Sequence, residues 1–225
     1  MRGIIYDKYH KFLDIFLKAD IHFLNKYIGN KLYDKNFFID SNKLKVSSAQ
    51  KLAKIINENF IFHSVFDIGC GIGLYLNEFF KLNKEVLGCD FSLDGIGMSP
   101  KEFTIFYADI TKPIILNRKY DLVICFEVAE HINERYSAQL VSNCIKNGKI
   151  ILFTAAVPGQ GGVGHINEKP KLFWIKLFKK FNFEYNENLS RKVRTIMESD
   201  DIVQWLAKNF MCFQSRDSIL HISNR

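Results

Sequence analysis

Three glycines follow an acidic residue in the segment VFDIGCGIGL, residues 65–74. Gly69, Gly71 and Gly73 would let the backbone approach a ligand closely. Their spacing of two and two residues departs from the dinucleotide fingerprint, so a nicotinamide or flavin pyrophosphate is the poorer match. Because Asp67 precedes the loop, a ligand that carries an ammonium group suits it better than one that carries phosphates. A tight structural turn is the alternative for the loop alone.

Two further acidic residues end the next two apolar segments. Asp90 ends EVLGCD, about twenty residues after the glycines, where an acid typically binds ribose hydroxyls. Asp109 ends FTIFYAD, where a carboxylate could accept a hydrogen bond from the exocyclic amine of adenine. Each acid alone could be a helix cap or a turn residue. Together, three acids at the ends of successive strands predict a ligand that contains adenosine and an amino-acid end.

Segments of strand length must position these acids, and they alternate with helical segments along the chain. The predicted strands are HSVFDIG, EVLGCD, FTIFYAD, YDLVICF and GKIILFTAAV. Residues 121–126 and 149–157 are apolar at nearly every position, as expected of strands buried on both faces. The alternation predicts an α/β fold with a mostly parallel central sheet and helices on both faces. Its ligand would bind beyond the carboxyl ends of the strands.

Apolar residues at three- and four-residue steps predict two helices before the first strand. One covers residues 6–28, and the other runs through residues 49–56 with Ser47 or Ser48 as its N-cap. We expect residues 1–60 to form an N-terminal helical cover on a ligand-binding domain of residues 61–225, in one structural unit.

The same periodicity predicts helices beyond the glycine loop. They are expected within residues 73–82, 136–144, 171–181 and 199–209, with a short strand near Phe183 and a last strand in FMCFQS. The interval between Asp90 and Asp109 contains Gly95, Gly97 and Pro100. A helix there should therefore be short or missing.

These motifs resemble those of class I S-adenosylmethionine-dependent methyltransferases. VFDIGCGIG is similar to their glycine-rich motif, CDFS to the ribose-binding strand end, ADI to the adenine-contacting acid, and YDLVICFEVAEHI to the fourth strand and its loop. The resemblance covers residues 65–158 and implies a Rossmann-like fold with S-adenosylmethionine as cofactor. The binding residues that it implies are Asp67, Gly69 and Gly71 for the methionine moiety, Asp90 for the ribose, Phe91, Asp109 and Ile110 for the adenine, and Phe126 beside the methyl donor.

Two histidines are candidates for catalysis. His131 follows the fourth strand in FEVAEH, and His165 follows the fifth in PGQGGVGHINE, so both should lie at the ligand edge. Methyl transfer is an in-line displacement that requires a closely held acceptor, and a hydroxyl acceptor must also lose its proton. A neutral imidazole is suited to accept that proton. Alternatively, His131 only orients its loop and His165 closes a lid.

A divalent metal is an alternative use of the same residues. Glu127, Glu130 and His131 could share one helical face, and His165 could join them. Some RNA 2′-O-methyltransferases and quinone-pathway O-methyltransferases resemble this E-x-x-E-H pattern and use a metal ion to hold acceptor hydroxyls. Mixed carboxylate and imidazole ligands suit Mg²⁺ or Mn²⁺ less neatly than oxygen alone. We therefore assign no metal ligands.

The segment after the fifth strand resembles bacterial small-molecule and glycan methyltransferases. This resemblance implies O-methylation of a small polar acceptor, such as a sugar, a surface-polysaccharide precursor or a phosphorylated metabolite. Asn167, Glu168 and Trp174 are then candidates for acceptor contacts or lid packing. The alternatives are an RNA 2′-O-methyltransferase with a divalent metal and a protein that binds the cofactor without catalysis.

Composition narrows these alternatives. The chain has 225 residues, of which 48% are hydrophobic and 24% charged, as in ordinary globular proteins. Its net charge of +7 suits anionic partners, but the basic residues are scattered, so nucleic acid is not expected. Five cysteines without a C-x-x-C pair predict buried thiols in a reducing compartment. We expect a cytoplasmic protein without a membrane partner, because we find neither a signal-peptide core nor an apolar run of bilayer length.

Overall fold

Seven strands form one sheet in the computed structural model, which describes residues 35–200 and 202–215. The strands are β1 (Ser64–Ile68), β2 (Glu85–Asp90), β3 (Thr104–Tyr107), β4 (Tyr120–Phe126), β5 (Gly148–Thr154), β6 (Phe183–Tyr185) and β7 (Met211–Ser215). Their spatial order is β3-β2-β1-β4-β5-β7-β6, and only the β5–β7 and β6–β7 pairings are antiparallel. The predicted α/β, Rossmann-like fold with a mostly parallel sheet is confirmed.

Seven α-helices connect and cover these strands within the described residues. They are α1 (Lys35–Asn59), α2 (Leu74–Lys81), α3 (Leu93–Gly97), α4 (Ser137–Asn147), α5 (Lys171–Lys180), α6 (Glu187–Ser199) and α7 (Gln204–Asn209). Side chains of α1, α2, α6 and α7 join one apolar core, and those of α4 and α5 join another. The helix between Asp90 and Asp109 has five residues, so the expected shortening is confirmed.

Alternation along β1 determines which face of the sheet Asp67 occupies. Phe66 and Ile68 lie in the core that α4 and α5 cover, whereas Val65 lies in the core that α1 and α2 cover. Successive side chains of a strand point to opposite faces. Asp67 therefore points to the face of α1 and α2, at the carboxyl end of its strand.

The amino-terminal predictions need one correction. The predicted helix over residues 6–28 lies outside the described residues, and α1 already includes Lys35, the first described residue, well before Ser47 and Ser48. Residues 31–45 contain neither glycine nor proline to end a helix. Ser48 is buried within α1, and its Oγ accepts a hydrogen bond from Val203 N at 3.3 Å, so neither serine is the N-cap. The domain division at residue 60 stays a prediction.

The carboxyl-terminal helices also differ from expectation. The predicted helix over residues 199–209 is present only as α7, and the sequence interpretation missed α6. Asn186 caps α6 by accepting a hydrogen bond from Leu189 N at 3.0 Å. Val193 and Met197 then recur on its buried face. The many charged residues of α6 obscured this spacing.

The prediction of buried thiols is confirmed. All five cysteines are free and buried, as expected. Over the described part of the chain, no helix combines the length and apolar character needed to cross a bilayer.

Asp121 links three strands at the amino edge of the sheet, opposite the carboxyl ends. Its Oδ2 accepts hydrogen bonds from His63 N at 3.0 Å and Ser64 N at 3.2 Å, and its Oδ1 lies 2.7 Å from Lys149 Nζ. Burial opposes the charged form of Asp121, but the bonds from Lys149, His63 and Ser64 outweigh it and lower the pKa to about 2. The ionised carboxylate therefore stabilises the folded protein.

We expect Asp121→Asn to lower the free energy of unfolding by about 1 kcal/mol at neutral pH, since the carboxylate is partly exposed. The folded-state pKa is below the usual value of about 3.9, so this stabilisation is present above about pH 4 and is lost as the pH falls towards 2. Urea unfolding of both proteins at several pH values measures it, with the exposed Glu102→Gln as control. A difference that persists unchanged at pH 2 would contradict the charge-based explanation.

Candidate active site

The glycine loop after β1 is tightly enclosed. Gly69 N and Cys70 N both donate to Cys89 O, at 2.8 and 3.1 Å. Gly69 has a φ of 78°, and a Cβ atom there would lie 2.5 Å from Val128 Cγ2. A larger residue at Gly69 would be both strained and crowded. The loop is therefore held against the end of β2 and the segment that follows β4.

Asp67 presents an unsatisfied carboxylate oxygen beneath this loop. Its side chain is buried, and its Oδ2 has no hydrogen-bond partner among the residues that the structure describes. Burial, together with the nearby Asp90 carboxylate, raises the pKa of Asp67 well above its usual value. A buried acceptor of this kind is costly unless a ligand supplies a donor. An ammonium group fits that requirement.

Asp90 is ordered by backbone amides at the end of β2. Its Oδ2 accepts from Gly71 N at 2.7 Å and its Oδ1 from Ser92 N at 2.7 Å. Burial raises the pKa of Asp90, although these hydrogen bonds partly offset the effect. Each carboxylate oxygen can accept a second hydrogen bond. Asp90 therefore keeps acceptor capacity for ligand hydroxyls beside the glycine loop.

The residues predicted to contact adenine lie at the end of the neighbouring strand. Asp109 Oδ1 accepts from Thr111 N at 3.1 Å and from Thr111 Oγ1 at 2.6 Å, so its carboxylate orders the turn after β3. Ile110 is buried, and the Phe91 ring lies 5.6 Å from that of Tyr107. The backbone bond from Ala108 N to Asp90 O, at 2.9 Å, joins the two strand ends.

The Phe126 and Tyr75 rings pack against each other near the Asp67 and Glu127 carboxylates. Their ring centroids are 5.2 Å apart in an edge-to-face arrangement. Burial, followed by the Asp67 and Glu127 carboxylates, raises the pKa of the Tyr75 hydroxyl. Sequence reasoning missed Tyr75, although its place in the first turn after the glycine loop was an available signal.

Glu127 does not lie on a helix with His131, and that expectation was wrong. Its φ is 53°, and helical structure begins only with the 3₁₀ turn Ala129–His131. The Glu127 carboxylate instead accepts a hydrogen bond from Gln160 Nε2 at 3.2 Å and lies 3.4 Å from Asn209 Nδ2. Left-handed backbone is uncommon for glutamate and is often found at functional sites.

Glu130, His131 and His165 converge beside Glu127. The two histidine rings meet edge to face with centroids 4.9 Å apart, and candidate ligand atoms of the three residues all lie within 4.8 Å of one another. Glu130 is fully buried, and neither carboxylate oxygen has a hydrogen-bond partner within the described part of the chain. Burial, reinforced by Glu127, raises the pKa of Glu130 well above its usual value. The structure therefore brings both predicted histidines together.

The glycine-rich segment of residues 158–168 is anchored to this cluster. Ile166 N and Asn167 N donate to Glu130 O at 2.8 and 3.0 Å, and His131 Nδ1 lies 3.3 Å from Gly164 O. Asn167 is buried and donates to Ala129 O at 3.2 Å, so it packs the segment in place.

The other two acceptor-contact candidates also make contacts within the protein. Trp174 is fully buried, with its ring 5.1 Å from that of Phe153 in the core. The Glu168 carboxylate contacts His165 and backbone amides of residues 158–168. Burial opposes its charge, but those hydrogen bonds outweigh it and lower the pKa of Glu168.

Comparison with known proteins places this geometry in a family. A family model described as "Methyltransferase domain" matches residues 41–209. The ubiquinone biosynthesis O-methyltransferase of Paraburkholderia phytofirmans is 30% identical over 102 residues, which cover 40% of this chain and 43% of that protein. The chain spans about half the length of the curated relatives it matches, 43% to 63%.

Solved structures share the fold. The sugar N-methyltransferase KedS8 from Streptoalloteichus sp ATCC 53650 superposes with a TM-score of 0.62 at 12% identity, over 80% of this chain and 92% of that one. The magnesium protoporphyrin IX methyltransferase from Synechocystis PCC 6803, solved with bound SAH, superposes with a TM-score of 0.58 at 17% identity. The match covers 72% of this chain and 91% of that one.

The family match extends over more than half of the chain and includes all of the groups described above. It contains the glycine loop, the three strand-end acids and both histidines. The unsatisfied Asp67 oxygen and the amide-held Asp90 suit a ligand with an amino-acid end and a ribose. The chain therefore belongs to the methyltransferase-domain family of S-adenosylmethionine-dependent proteins.

Proposed function

We propose that the protein transfers a methyl group from S-adenosylmethionine to a hydroxyl of a small polar acceptor. The observation that carries this proposal is the pair of histidine rings, 4.9 Å apart, beside the buried Glu130 carboxyl group. These residues follow β4 and β5 at the same edge as the cofactor-side acids. A base at that position can act on an acceptor held there.

The proposed cofactor contacts follow the strand ends. Asp67 would accept from the ammonium group with its unsatisfied oxygen, and the backbone of Gly69 and Gly71 would line the methionine moiety. Asp90 would bind the ribose hydroxyls. The adenine would lie among Phe91, Asp109 and Ile110, with Phe126 beside the methyl group. When bound, the cofactor supplies an electrophilic methyl group on a sulfonium sulfur.

The proposed base is His165, with His131 as its neighbour. A ring nitrogen of His165 would accept the proton of the acceptor hydroxyl as the oxygen gains the methyl group and the carbon–sulfur bond breaks, with S-adenosylhomocysteine as the leaving group. The resulting imidazolium would lie near Glu130, whose Oε1 is 4.0 Å from His165 Nε2.

The acceptor class is inferred from the polar groups beside the histidines. Glu127, Gln160 and Asn209 form a hydrogen-bonded set, in which Asn209 Nδ2 lies 2.9 Å from Gln160 Oε1. Carboxylates and carboxamides suit a polyhydroxylated acceptor such as a sugar, a surface-polysaccharide precursor or a phosphorylated metabolite. The O-methyltransferase names of the curated relatives support transfer to oxygen. Cytoplasmic location remains part of this proposal.

Cofactor binding is tested by calorimetric titration with S-adenosylhomocysteine. We expect micromolar-range affinity for the unaltered protein and at least about tenfold weaker binding for Gly69→Ala, because its Cβ would crowd Val128. Gly97→Ala is the matched control, since a Cβ there meets no described atom within 4 Å. Binding of NAD without binding of S-adenosylhomocysteine would refute the cofactor assignment.

Substitution of His165 tests the catalytic assignment. We expect His165→Ala to lower the methyl-transfer rate about a hundred- to ten-thousandfold with little change in cofactor affinity. We expect His131→Ala to lower that rate by a smaller factor. Transfer to a panel of sugars and phosphorylated sugars measures the rate, with exposed His63→Ala as control. If His165→Ala turned over at the wild-type rate at every pH, His165 would be excluded as the base. A joint loss of cofactor affinity and rate would indicate a structural role instead.

A divalent cation at the histidine cluster is a second candidate. Glu130, His131 and His165 offer one carboxylate and two imidazoles within 4.8 Å, and the Glu130 oxygens have no hydrogen-bond partner among the described residues. Such a ligand set suits Mn²⁺ better than Mg²⁺, because imidazole is a softer ligand than water or carboxylate. The ion would hold the acceptor hydroxyl and lower its pKa.

Titration with Mn²⁺, followed by electron paramagnetic resonance, tests this candidate. If the ion is bound, Glu130→Gln should weaken Mn²⁺ binding at least about tenfold, whereas the exposed Glu134→Gln should not. A chelator should abolish methyl transfer, and added Mn²⁺ should restore it. Activity that is indifferent to the chelator, together with no Mn²⁺ binding, would exclude the metal.

A further inference from the structure

We infer that Glu168 is a positioning residue that holds His165 in the tautomer with its proton on Nδ1. The inference deepens the proposed function and rests on it for its catalytic consequence. His165 Nδ1 lies 2.9 Å from Glu168 Oε1, a distance typical of a strong hydrogen bond. Glu168 follows His165 by three residues, on the same anchored segment.

Backbone amides determine which partner donates in this hydrogen bond. Gly159 N donates to Glu168 Oε2 and Gly161 N donates to Glu168 Oε1, each at 2.7 Å. Amide N–H groups can only donate, so they favour the ionised carboxylate. An ionised carboxylate can only accept. The proton between Glu168 and His165 therefore belongs to His165 Nδ1.

The opposite ring nitrogen then faces the cluster with a lone pair. In a neutral imidazole that carries its proton on Nδ1, Nε2 is the acceptor. His165 Nε2 lies 4.0 Å from Glu130 Oε1. It is also so close to the backbone of Gly162 that a Cβ there would lie 2.4 Å away. Glu168 therefore supplies the orientation that a base or a metal ligand requires at this nitrogen.

The glycines of the segment serve this arrangement. Gly159 and Gly161 have φ values of 85° and 69°, which direct their amides to the Glu168 carboxylate, and Gly162 leaves room for the imidazole. His131 differs, because its Nδ1 lies 3.3 Å from a carbonyl oxygen of the same segment. The carboxylate partner distinguishes His165, since Glu168 Oε1 lies closer to its Nδ1, at 2.9 Å, and a carboxylate accepts a stronger hydrogen bond than a carbonyl.

Nitrogen-15 NMR of histidine-labelled full-length protein tests the inference without any acceptor. At alkaline pH, where imidazoles are neutral, we expect His165 to show the Nδ1–H tautomer. Its signal is assigned by its absence from His165→Ala. Glu168→Gln should shift the population towards Nε2–H, because a carboxamide can donate to Nδ1. Glu134→Gln, which removes only the neighbouring ion pair with Lys169, should leave the tautomer unchanged.

Turnover gives the catalytic consequence. Glu168→Gln should lower kcat about ten- to hundredfold with unchanged affinity for S-adenosylhomocysteine, and Glu168→Asp should recover part of the loss. An Nε2–H tautomer in the unaltered protein would overturn the inference, even if Glu168→Gln failed to fold. A folded Glu168→Gln with unchanged tautomer and kcat would also overturn it. The Nδ1–H tautomer in a protein without methyl-transfer activity would support the positioning role and refute only the proposed function.

Discussion

β1 pairs in parallel with β2 on one side and with β4 on the other, so three chain segments leave the sheet at one edge. The register matches Ile68 with Cys89, and Asp67 with Ile124, which fixes the relative heights of the strand ends. Connections of neighbouring parallel strands diverge at such a point and leave a crevice. The pairing of the strands therefore brings the glycine loop, Asp90 and the segment after β4 together, and the hydrogen bond from Gly71 N to Asp90 Oδ2 joins two of them.

Burial of the sheet on both faces gives this edge its chemical character. The strand interiors are apolar, so the polar groups concentrate where the strands end. Asp67 Oδ2 and both carboxylate oxygens of Glu130 are buried there without a hydrogen-bond partner among the described residues, which costs folding free energy. Such groups persist where a ligand completes them. The groups at this edge therefore lower the folding stability of the ligand-free protein and favour the binding of a ligand.

The strands and the glycine loop could be predicted because local patterns specify them. Continuous apolar runs identify buried parallel strands, and the acids follow directly from where those runs end. The extension of α1 ahead of Ser47 and the whole of α6 were harder to predict. Val193 and Met197 are buried on one face of α6, and the core that they join is formed by segments distant in sequence. The local sequence of α6 therefore gave little indication of a buried helix.

The acceptor side was predictable only in part. Two histidines after neighbouring strands were expected to meet, because parallel strands end at a common edge. The left-handed backbone of Glu127 and the contact of Glu168 with His165 depend on side-chain and backbone hydrogen bonds that no spacing rule encodes. The position of Tyr75 just after the glycine loop was a usable signal, but its contact with Phe126 depends on the packed fold.

The position of β7 between β5 and β6 has a consequence for synthesis on the ribosome. β6 precedes β7 in the chain but pairs only with it, and β5 has β7 as its outer neighbour. During vectorial synthesis, β5 therefore keeps an open edge until the last described strand has emerged. An apolar strand with an unpaired edge can recruit strands from other chains. The nascent chain therefore carries this open edge while residues 155–210 are being made.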